Sequence, residues 1–520
     1  MTERAAGSDA QSVTGTDGYV SDIGYTAGFY PETAPGRIAF AALAAGREAG
    51  GAAGPARVLE LGFGQGFGLA LLAAANPDVA FEGCDFNASH VAHARGLAEA
   101  AGLTNLALVE GRFEDLAARA GAADVDAAIL HGVLSWVSPQ TQAALVAILR
   151  QRLRPGGSLF VSYNCAPGWA PLAPIRQFVH DVARAGEGGS ERRVAHALDL
   201  LARVKAADAP YFRANPAAAR HVEAMLAMEP AYLAHEYLAE HWRALTIGEA
   251  AAILAGAGLS FVASANLPEN FDAFAAPAAL GPLIAGTADP ILRETLRDLA
   301  GSRQFRRDVF ARGGAPAQPA MDADSPMRFL LAAPPQRVGF RFEGPLGELI
   351  GRDDFYRPLV DRLAQGEASL GQLRALPAFG GAGAASLVEC LALLVHSGQV
   401  LARAAPAPQD GAPARRFNRV VVEAARAGGL YGWLAAPAAR TGIRVDDFGL
   451  LTLGALLDGA ADSAEDAARH GLAVVKALGR RPSDGTRRLD DDGEALAFLA
   501  ARMARILEQD VPVWRRLGIL

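Results

Sequence analysis

The stretch that decides the fold is Arg57-Val58-Leu59-Glu60-Leu61-Gly62-Phe63-Gly64-Gln65-Gly66, an apolar run that ends in a glycine-rich turn. A short apolar run bounded by glycines is typical of a buried strand. Glycines let the backbone turn with positive φ and approach a ligand without a Cβ in the way. A ligand bound at this turn would lie beyond the carboxyl end of the strand, which is where open α/β sheets place their sites.

Short apolar runs alternate with helical segments from residue 57 to about residue 165. The predicted elements are strand 57–61, helix 67–75, strand 79–84, helix 88–101, strand 106–109, strand 126–130, helix 140–153, a turn over 154–157 and strand 158–162. This alternation predicts an α/β fold whose parallel sheet is covered by helices on both faces.

The spacing of the glycines distinguishes between two kinds of site that use this location. A dinucleotide site needs glycine at the first, third and sixth positions. Counted from Gly62, the sixth position is Phe67. Counted from Gly64, it is Leu69, so the dinucleotide pattern fails. Glu60, two places before the first glycine, suits a cofactor that carries a cationic sulfonium and an ammonium better than one that carries a pyrophosphate.

Carboxylates follow the next two predicted strands and complete a cofactor pattern. Asp85 ends the second strand, where it can accept hydrogen bonds from both hydroxyls of a ribose. After the third strand, Glu114 or Asp115 offers a carboxylate to an adenine amino group, although either could instead cap the helix that follows. The sequence thus predicts an S-adenosylmethionine site formed by Glu60, Gly62, Gly64, Gly66, Asp85, Phe86, Phe113, Glu114 and Asp115.

The rest of the chain predicts further segments around this class I methyltransferase-like (Rossmann-like) core. We expect a disordered tail (1–20), an N-terminal lid segment (21–54), the core (55–175), a helical regulatory insertion that returns to the sheet (176–330) and a C-terminal, mainly helical, winged-helix-like domain (336–520). The uncharged stretch 250–268 predicts a short helix, a glycine turn and a strand, and no membrane span. The arginines of 303–312 predict a solvated helix face.

Composition excludes several classes of protein. The 520 residues carry a net charge of -7, which gives no basic face for nucleic acid. Three cysteines lie far apart, which indicates reduced thiols in the cytoplasm and neither a disulfide framework nor a zinc site. His235 and His241 with Glu236 between them do not match HExxH, so no metal site is expected.

Stretches outside the glycine turn carry a narrower resemblance. They are 25–37 (YTAGFYPETAPGR), 131–137 (HGVLSWV), 162–169 (SYNCAPGW), 235–238 (HEYL), 303–307 (RQFRR) and 434–453. With the core motifs, they make the chain resemble the class I methyltransferases that carry a methyltransferase regulatory domain. That bacterial group includes protein-lysine methyltransferases acting on outer-membrane proteins of Rickettsia. Two residues depart from the pattern: Arg112 stands where many relatives have Asp, and Phe63 where a smaller or polar residue is usual.

The loops after the fourth and fifth predicted strands should face the transferred methyl group, because methyl transfer depends on alignment and on the exclusion of water. They supply the predicted catalytic residues His131, Tyr163 and Asn164 and the predicted substrate-binding residues Trp136 and Trp169. Tyr25 and Tyr30 could bind substrate by closing the pocket from the lid segment, or could only anchor the tail. Aromatic walls suit an alkylamine. His131 could equally be bound to backbone at a strand end, and both tryptophans could simply pack.

Three functions fit the pattern. The resemblance implies a protein or peptide substrate, methylated on a lysine. The cofactor motifs fit a small-molecule methyltransferase of secondary metabolism equally well. A non-catalytic, cofactor-binding regulatory partner is the third reading, and the intact glycines with Glu60 and Asp85 argue against it. The winged-helix-like segment suggests substrate docking or contact between two copies in a homodimer.

Overall fold

The computed structural model describes Gly18 and residues 27–47, 54–119, 121–314, 325–380, 384–429 and 431–520. These residues form two compact units. The helical unit comprises Ala170–Arg243 with Ser135–Gln140 and Gly18, and the sheet unit comprises the remainder. The predicted disordered tail (Gly18 apart), both ends of the lid segment and Tyr25 lie outside the described residues.

A seven-stranded sheet forms the centre of the sheet unit. Its strands are β1 (Arg57–Leu61), β2 (Ala80–Asp85), β3 (Leu106–Glu110), β4 (Val125–Leu130), β5 (Leu153–Asn164), β6 (Leu259–Ser264) and β7 (Phe305–Arg312). They lie in the order β3-β2-β1-β4-β5-β7-β6. The predicted α/β fold and the parallel pairing of the first five strands are confirmed. The seventh strand is antiparallel to both its neighbours, so the whole sheet is mixed.

The fifth strand begins earlier than predicted. Residues 154–157, expected as a turn, lie inside β5. Gly156 has a φ of 79°, and the register with β4 shifts at this point. A strand with such an irregularity can look like a turn in sequence, because both need a glycine with positive φ.

Helices cover the sheet and precede it. They are α1 (Pro35–Ala44), α2 (Phe67–Ala75), α3 (Ala88–Ala100), α4 (Phe113–Ala118), α5 (Pro139–Arg152) and α6 (Ala166–Trp169). Nearly every residue of α2 is buried. Such a helix is apolar all round because it has packing partners on opposite sides, here the sheet and the C-terminal part of the chain.

The helical unit contains α7 (Ala173–Ala185), α8 (Ser190–Ala206), α9 (Pro210–Ala214), α10 (Pro216–Leu226) and α11 (Pro230–Leu238). Residues 186–189 separate α7 from α8, and Pro216 begins α10. Within this unit, α7 and α11 pack against α8 through their apolar faces.

The chain then returns to the sheet through α12 (Ile247–Ala255) and β6, followed by α13 (Asp272–Ala275), α14 (Gly281–Gly286) and α15 (Pro290–Ala300). A capping box between Thr246 and Glu249 starts α12, and Gly258 with φ of 72° turns the chain into β6. The predicted helix, glycine turn and strand in 250–268 are therefore confirmed. Of the helices described, none is long and apolar enough to cross a membrane.

The prediction that 303–312 forms a solvated helix face is wrong. The segment is β7, and Arg306 within it has 0% of its surface exposed. Its guanidinium pairs with Glu294 and Asp298 of α15 and with Asp308. Arg306 can be buried because these carboxylates neutralise its charge. The prediction considered only the charges in the segment itself and so could not include partners from another element.

The C-terminal part of the chain belongs to the sheet unit. Its strands are β8 (Arg328–Leu331), β9 (Arg341–Gly344), β10 (Gly347–Ile350), β11 (Ala368–Ser369), β12 (Val400–Arg403), β13 (Trp433–Ala436) and β14 (Thr441–Arg444). Its helices are α16 (Asp353–Ala364), α17 (Leu370–Arg374), α18 (Ala384–His396), α19 (Ala412–Arg426), α20 (Asp447–Leu457), α21 (Ala464–Ala477), α22 (Asp492–Arg505) and α23 (Val511–Arg516). Helices α17 and α18 are followed by the short strand β12, and the winged-helix comparison stays an interpretation.

Candidate functional site

The glycine-rich turn has a backbone that only glycine adopts easily. Gly62, Gly64 and Gly66 have φ values of 79°, 56° and 71°. A Cβ on Gly62 would lie 2.6 Å from Cγ2 of Val133, and one on Gly66 would lie 2.4 Å from Cβ of Ala94. The turn between β1 and α2 therefore needs glycine for its conformation and for its close packing.

Asp85 ties the end of β2 to this turn. Its Oδ2 accepts a hydrogen bond from the Gly64 N–H at 2.9 Å, and its Oδ1 accepts one from the Asn87 N–H at 2.9 Å. His90 lies 3.6 Å from the same Oδ1. Asp85 is only 5% exposed, so these contacts fix its carboxylate beside the glycines. The sequence reading missed Asn87 and His90, which the N-terminal turn of α3 places there.

Glu60, which is half-buried, and Asp85, which is buried, form a pair of carboxylates at the glycine turn. Burial, and next the charge of Asp85, raise the pKa of Glu60 to about 8. No arginine or lysine in the described ranges makes an ion pair with either carboxylate. Two acids at one site without a cation from the chain favour a ligand that brings positive charge. The sulfonium and ammonium of S-adenosylmethionine fit that requirement.

Phe63 fills the space next to Gly83 of β2. A Cβ on Gly83 of β2 would lie 2.7 Å from Cδ1 of Phe63 and 2.6 Å from Cδ2 of Leu69. The Phe63 ring is buried in that space. It packs against β2 in the space that Gly83 leaves free of a side chain.

The residues predicted to hold adenine are only partly brought together. Phe113 is buried, and its Cζ would be 3.7 Å from a Cβ on Gly62, so the ring lies beside the glycine turn. Glu114 accepts a hydrogen bond from the Thr141 hydroxyl at 2.6 Å. Asp115 is exposed in the first turn of α4, and Phe86 is half-buried after β2. A carboxylate contact to adenine therefore stays a prediction.

His131 follows β4 directly and lies among aromatic rings. Its ring stacks on Tyr30 with centroids 3.9 Å apart, and Phe160 lies 6.0 Å away at an interplanar angle of 12°. Burial, and next the charge of Arg307, lower the pKa of His131 to about 4. The ring is therefore neutral at neutral pH. Its buried Nε2 has no hydrogen-bond partner within the part of the chain that the structure describes.

Two residues beside this stack were missed by the sequence reading. Glu32, two residues after Tyr30, lies 3.8 Å from Nε of Arg307, and that guanidinium lies over the Phe305 ring at 4.9 Å. Both belong to stretches that carry the resemblance (25–37 and 303–307), which was the available signal. Tyr30 itself is 38% exposed.

The structure places the other predicted residues differently. Tyr163 is fully buried, and its hydroxyl donates a hydrogen bond to Asp308 at 2.7 Å. This hydroxyl is therefore part of the buried ionic group around Arg306. Asn164 is buried at the end of β5, and its carbonyl accepts from the Leu245 N–H at 2.8 Å. Trp169 is buried in α6, and Trp136, in the helical unit, is half-buried. Of the three predicted catalytic residues, His131 is the one whose ring stacks on Tyr30.

Two family models match the chain. Residues 58–157 match a methyltransferase domain, and residues 229–312 match a predicted methyltransferase regulatory domain. The first match spans β1 to β5 and contains the glycine turn, Asp85 and His131.

Relatives cover the chain to different extents. The uncharacterised protein sll1526 of Synechocystis sp. is 30% identical over 518 residues, which cover 98% of this chain and 100% of that one. The uncharacterised protein RP028 of Rickettsia prowazekii is 31% identical over 124 residues, 24% of this chain and 49% of that one.

Among solved structures, PKMT2 from Rickettsia typhi in complex with AdoHcy superposes with a TM-score of 0.69 at 18% identity, covering 95% of this chain and 99% of that one. At this identity the similarity shows a shared fold. The match to a methyltransferase domain indicates the reaction, and the glycine turn with its two carboxylates indicates the cofactor. The chain therefore belongs to the family of the Synechocystis protein, and it is an S-adenosylmethionine-dependent class I methyltransferase that carries a methyltransferase regulatory domain.

Proposed function

We propose that this enzyme methylates an amine nitrogen, and that the acceptor is the side chain of a lysine in a protein. The observation that carries the proposal is the stack of Tyr30 on a neutral His131 at the end of β4. Val133, two residues further along the same loop, packs against Gly62. The stack therefore shares a loop with a residue that touches the cofactor turn.

The chemistry of the stack suits an amine. An ammonium is attracted to the faces of aromatic rings, and Tyr30 is a partly exposed aromatic residue at this site. A protonated histidine would repel that cation, but burial keeps His131 neutral. A lysine must lose its proton before its nitrogen can attack, and removal from water lowers its pKa. The unprotonated nitrogen of His131 can accept a hydrogen bond from the amine.

When bound, S-adenosylmethionine supplies the methyl group, and its sulfur keeps the electron pair of the broken carbon–sulfur bond. The work of this chain is then to hold the acceptor nitrogen in line and to exclude water. Tyr30, His131 and Phe160 form the apolar wall for that purpose. The proton released by the amine passes to water.

A protein acceptor is supported by similarity. The motif stretches resemble those of the protein-lysine methyltransferases of Rickettsia, and the fold matches that of PKMT2 from Rickettsia typhi over 95% of this chain. The chain also carries the helical unit and the C-terminal elements, which give surface beyond that needed for a small acceptor.

The test is methyl transfer from radiolabelled S-adenosylmethionine into a lysate of the source organism. We expect label in a protein band that resists acid and base, and methyllysine after hydrolysis. Tyr30→Leu should reduce the label at least tenfold while the affinity for AdoHcy stays within threefold. Tyr232→Leu is the matched control, because Tyr232 is 41% exposed against 38% for Tyr30. Label only in small molecules, or none despite AdoHcy binding, would contradict the proposal.

A further inference from the structure

The glycine turn is also held from outside the sheet. His93, on α3, places its Nδ1 2.7 Å from the carbonyl oxygen of Gln65, the residue between Gly64 and Gly66. Its Nε2 lies 2.9 Å from the hydroxyl of Tyr431, near the start of β13. A short relay therefore joins the C-terminal part of the chain to the cofactor turn.

The direction of each hydrogen bond follows from the groups involved. A carbonyl oxygen can only accept, so Nδ1 of His93 carries the proton and donates it to Gln65. In the neutral ring Nε2 then accepts, and the Tyr431 hydroxyl is its donor. Both nitrogens of His93 are thus used, and both partners restrain the ring.

Tyr431 is itself held in place by packing. Its ring stacks on Phe67 at 4.4 Å with an interplanar angle of 8°. Phe67 is the first residue of α2, directly after the turn, and it also packs against Phe417 of α19 at 5.5 Å. Arg416 of the same helix donates to the Ala101 carbonyl at the end of α3 at 2.9 Å. The C-terminal elements therefore fix both the tyrosine and the helix that carries His93.

We propose that Tyr431 and His93 are positioning residues for cofactor binding. Gln65 stands between two glycines, and glycines lose more conformational freedom on ordering than other residues. An anchor on the Gln65 carbonyl holds this peptide in the conformation in which the Gly64 N–H reaches Asp85. The cofactor then meets a turn that is already ordered, and this assignment stands whichever acceptor is methylated.

Titration of AdoHcy into the full chain tests the relay. Tyr431→Phe removes the hydroxyl and keeps the ring on Phe67. It should weaken AdoHcy binding about fivefold, the effect of losing one hydrogen bond of about 1 kcal/mol. His93→Ala should weaken it at least as much. The double variant should bind no more weakly than His93→Ala, because both residues act through one carbonyl.

The matched control is Tyr356→Phe. Tyr356, on α16, also uses its hydroxyl in a buried contact of the C-terminal part, with Cys390. This variant should lower thermal stability without changing AdoHcy affinity by more than twofold. A binding stoichiometry of about one per chain shows that each variant is folded. With radiolabelled S-adenosylmethionine and lysate as acceptor, Tyr431→Phe should raise KM for S-adenosylmethionine and leave kcat unchanged.

Three results would overturn the proposal. The first is an AdoHcy affinity of folded Tyr431→Phe within twofold of the unmodified chain. The second is a double variant whose loss is the product of the two single losses. The third is a Tyr356→Phe variant that weakens binding as much as Tyr431→Phe does. If Tyr431→Phe fails to fold, His93→Ala alone decides by the same twofold limit.

Discussion

Two groups of carboxylates in the sheet unit differ in whether the chain itself supplies cations to pair with them. Around Arg306 the acids have cations from the chain itself: the buried guanidinium pairs with Glu294 at 2.8 Å, with Asp308 at 2.7 Å and with Asp298. At the glycine turn, Glu60 and Asp85 have no arginine or lysine partner in the described chain. A buried acid matched from within supports the fold, whereas one left unmatched indicates where a cationic ligand binds.

The matched group joins three elements of the sheet unit. Arg303 adds a second guanidinium, 2.9 Å from Asp298 of α15. Tyr163 of β5 donates to Asp308 of β7. Helix α15 is thereby tied to two antiparallel strands. Charged groups lose much of their hydration on burial, so this group stabilises the fold only if every charge keeps its partner.

The largest effect is expected from breaking the matched group. Arg306→Met leaves several buried carboxylates without their central cation and should lower the free energy of unfolding by about 3–5 kcal/mol. Urea unfolding at pH 7 measures it. The control is Arg341→Met, which removes an exposed pair with Glu348 at 2.7 Å and should cost at most about 1 kcal/mol. Equal losses of stability in the two variants would contradict the claim that the buried group around Arg306 supports the fold.

A smaller effect, on binding and not on folding, is expected at the unmatched group. Asp85→Asn should weaken AdoHcy binding at least tenfold, because hydrogen bonds to a charged group contribute about 1.5–3 kcal/mol. Asp126→Asn is the matched control: Asp126 also accepts from two backbone N–H groups, those of Ala56 and Arg57 at 2.8 and 2.9 Å, at the opposite end of β1. Calorimetric titration should show its affinity within twofold. Unchanged affinity in Asp85→Asn would refute the site.

The smallest effect is expected at Glu114. Because the Thr141 hydroxyl already occupies this carboxylate at 2.6 Å, Glu114→Gln should change AdoHcy affinity less than threefold. The lost contact should lower the free energy of unfolding by about 1 kcal/mol. Titration of this variant with AdoHcy measures the affinity, and urea unfolding of the same variant measures the stability. A tenfold loss of affinity would assign Glu114 to the adenine after all.

The cofactor end of the sheet could be predicted because its signals are local. Strand β1, the three glycines and Asp85 follow one another within about thirty positions, and each type of residue is required by the backbone or by charge. Spacing alone therefore excluded a dinucleotide site. The same local reading assigned Phe113 to the cofactor site, and the structure has its ring beside the glycine turn.

The other contacts depend on residues that are distant in sequence. Tyr163 seemed to belong to a loop facing the methyl group, but its partner Asp308 lies 145 positions away. His93 and Tyr431 are 338 positions apart, so no spacing rule joins them. Arg306 looked solvated because its carboxylates lie on α15 and within an unrecognised strand. Charge in a local window cannot show whether partners from elsewhere will bury it.

The raised pKa of Glu60 makes the charge of the unmatched group measurable. Between the ordinary value of 4.5 and about 8, the folded chain holds a proton that the unfolded chain has lost. Stability of the ligand-free protein therefore falls as pH rises through that window. Glu60→Gln should remove this part of the pH dependence.

The most direct measurement is the affinity for S-adenosylmethionine between pH 6 and 9, in the unmodified chain and in Glu60→Gln. A cationic cofactor should bind the ionised carboxylate, so affinity should rise about tenfold per pH unit up to about pH 8 and then level off. The Glu60→Gln profile should lack this rise, and its affinity should be lower at pH 9. An unmodified chain with a flat profile, or two profiles with the same slope, would contradict the claim that the unmatched carboxylates serve the cofactor's cation.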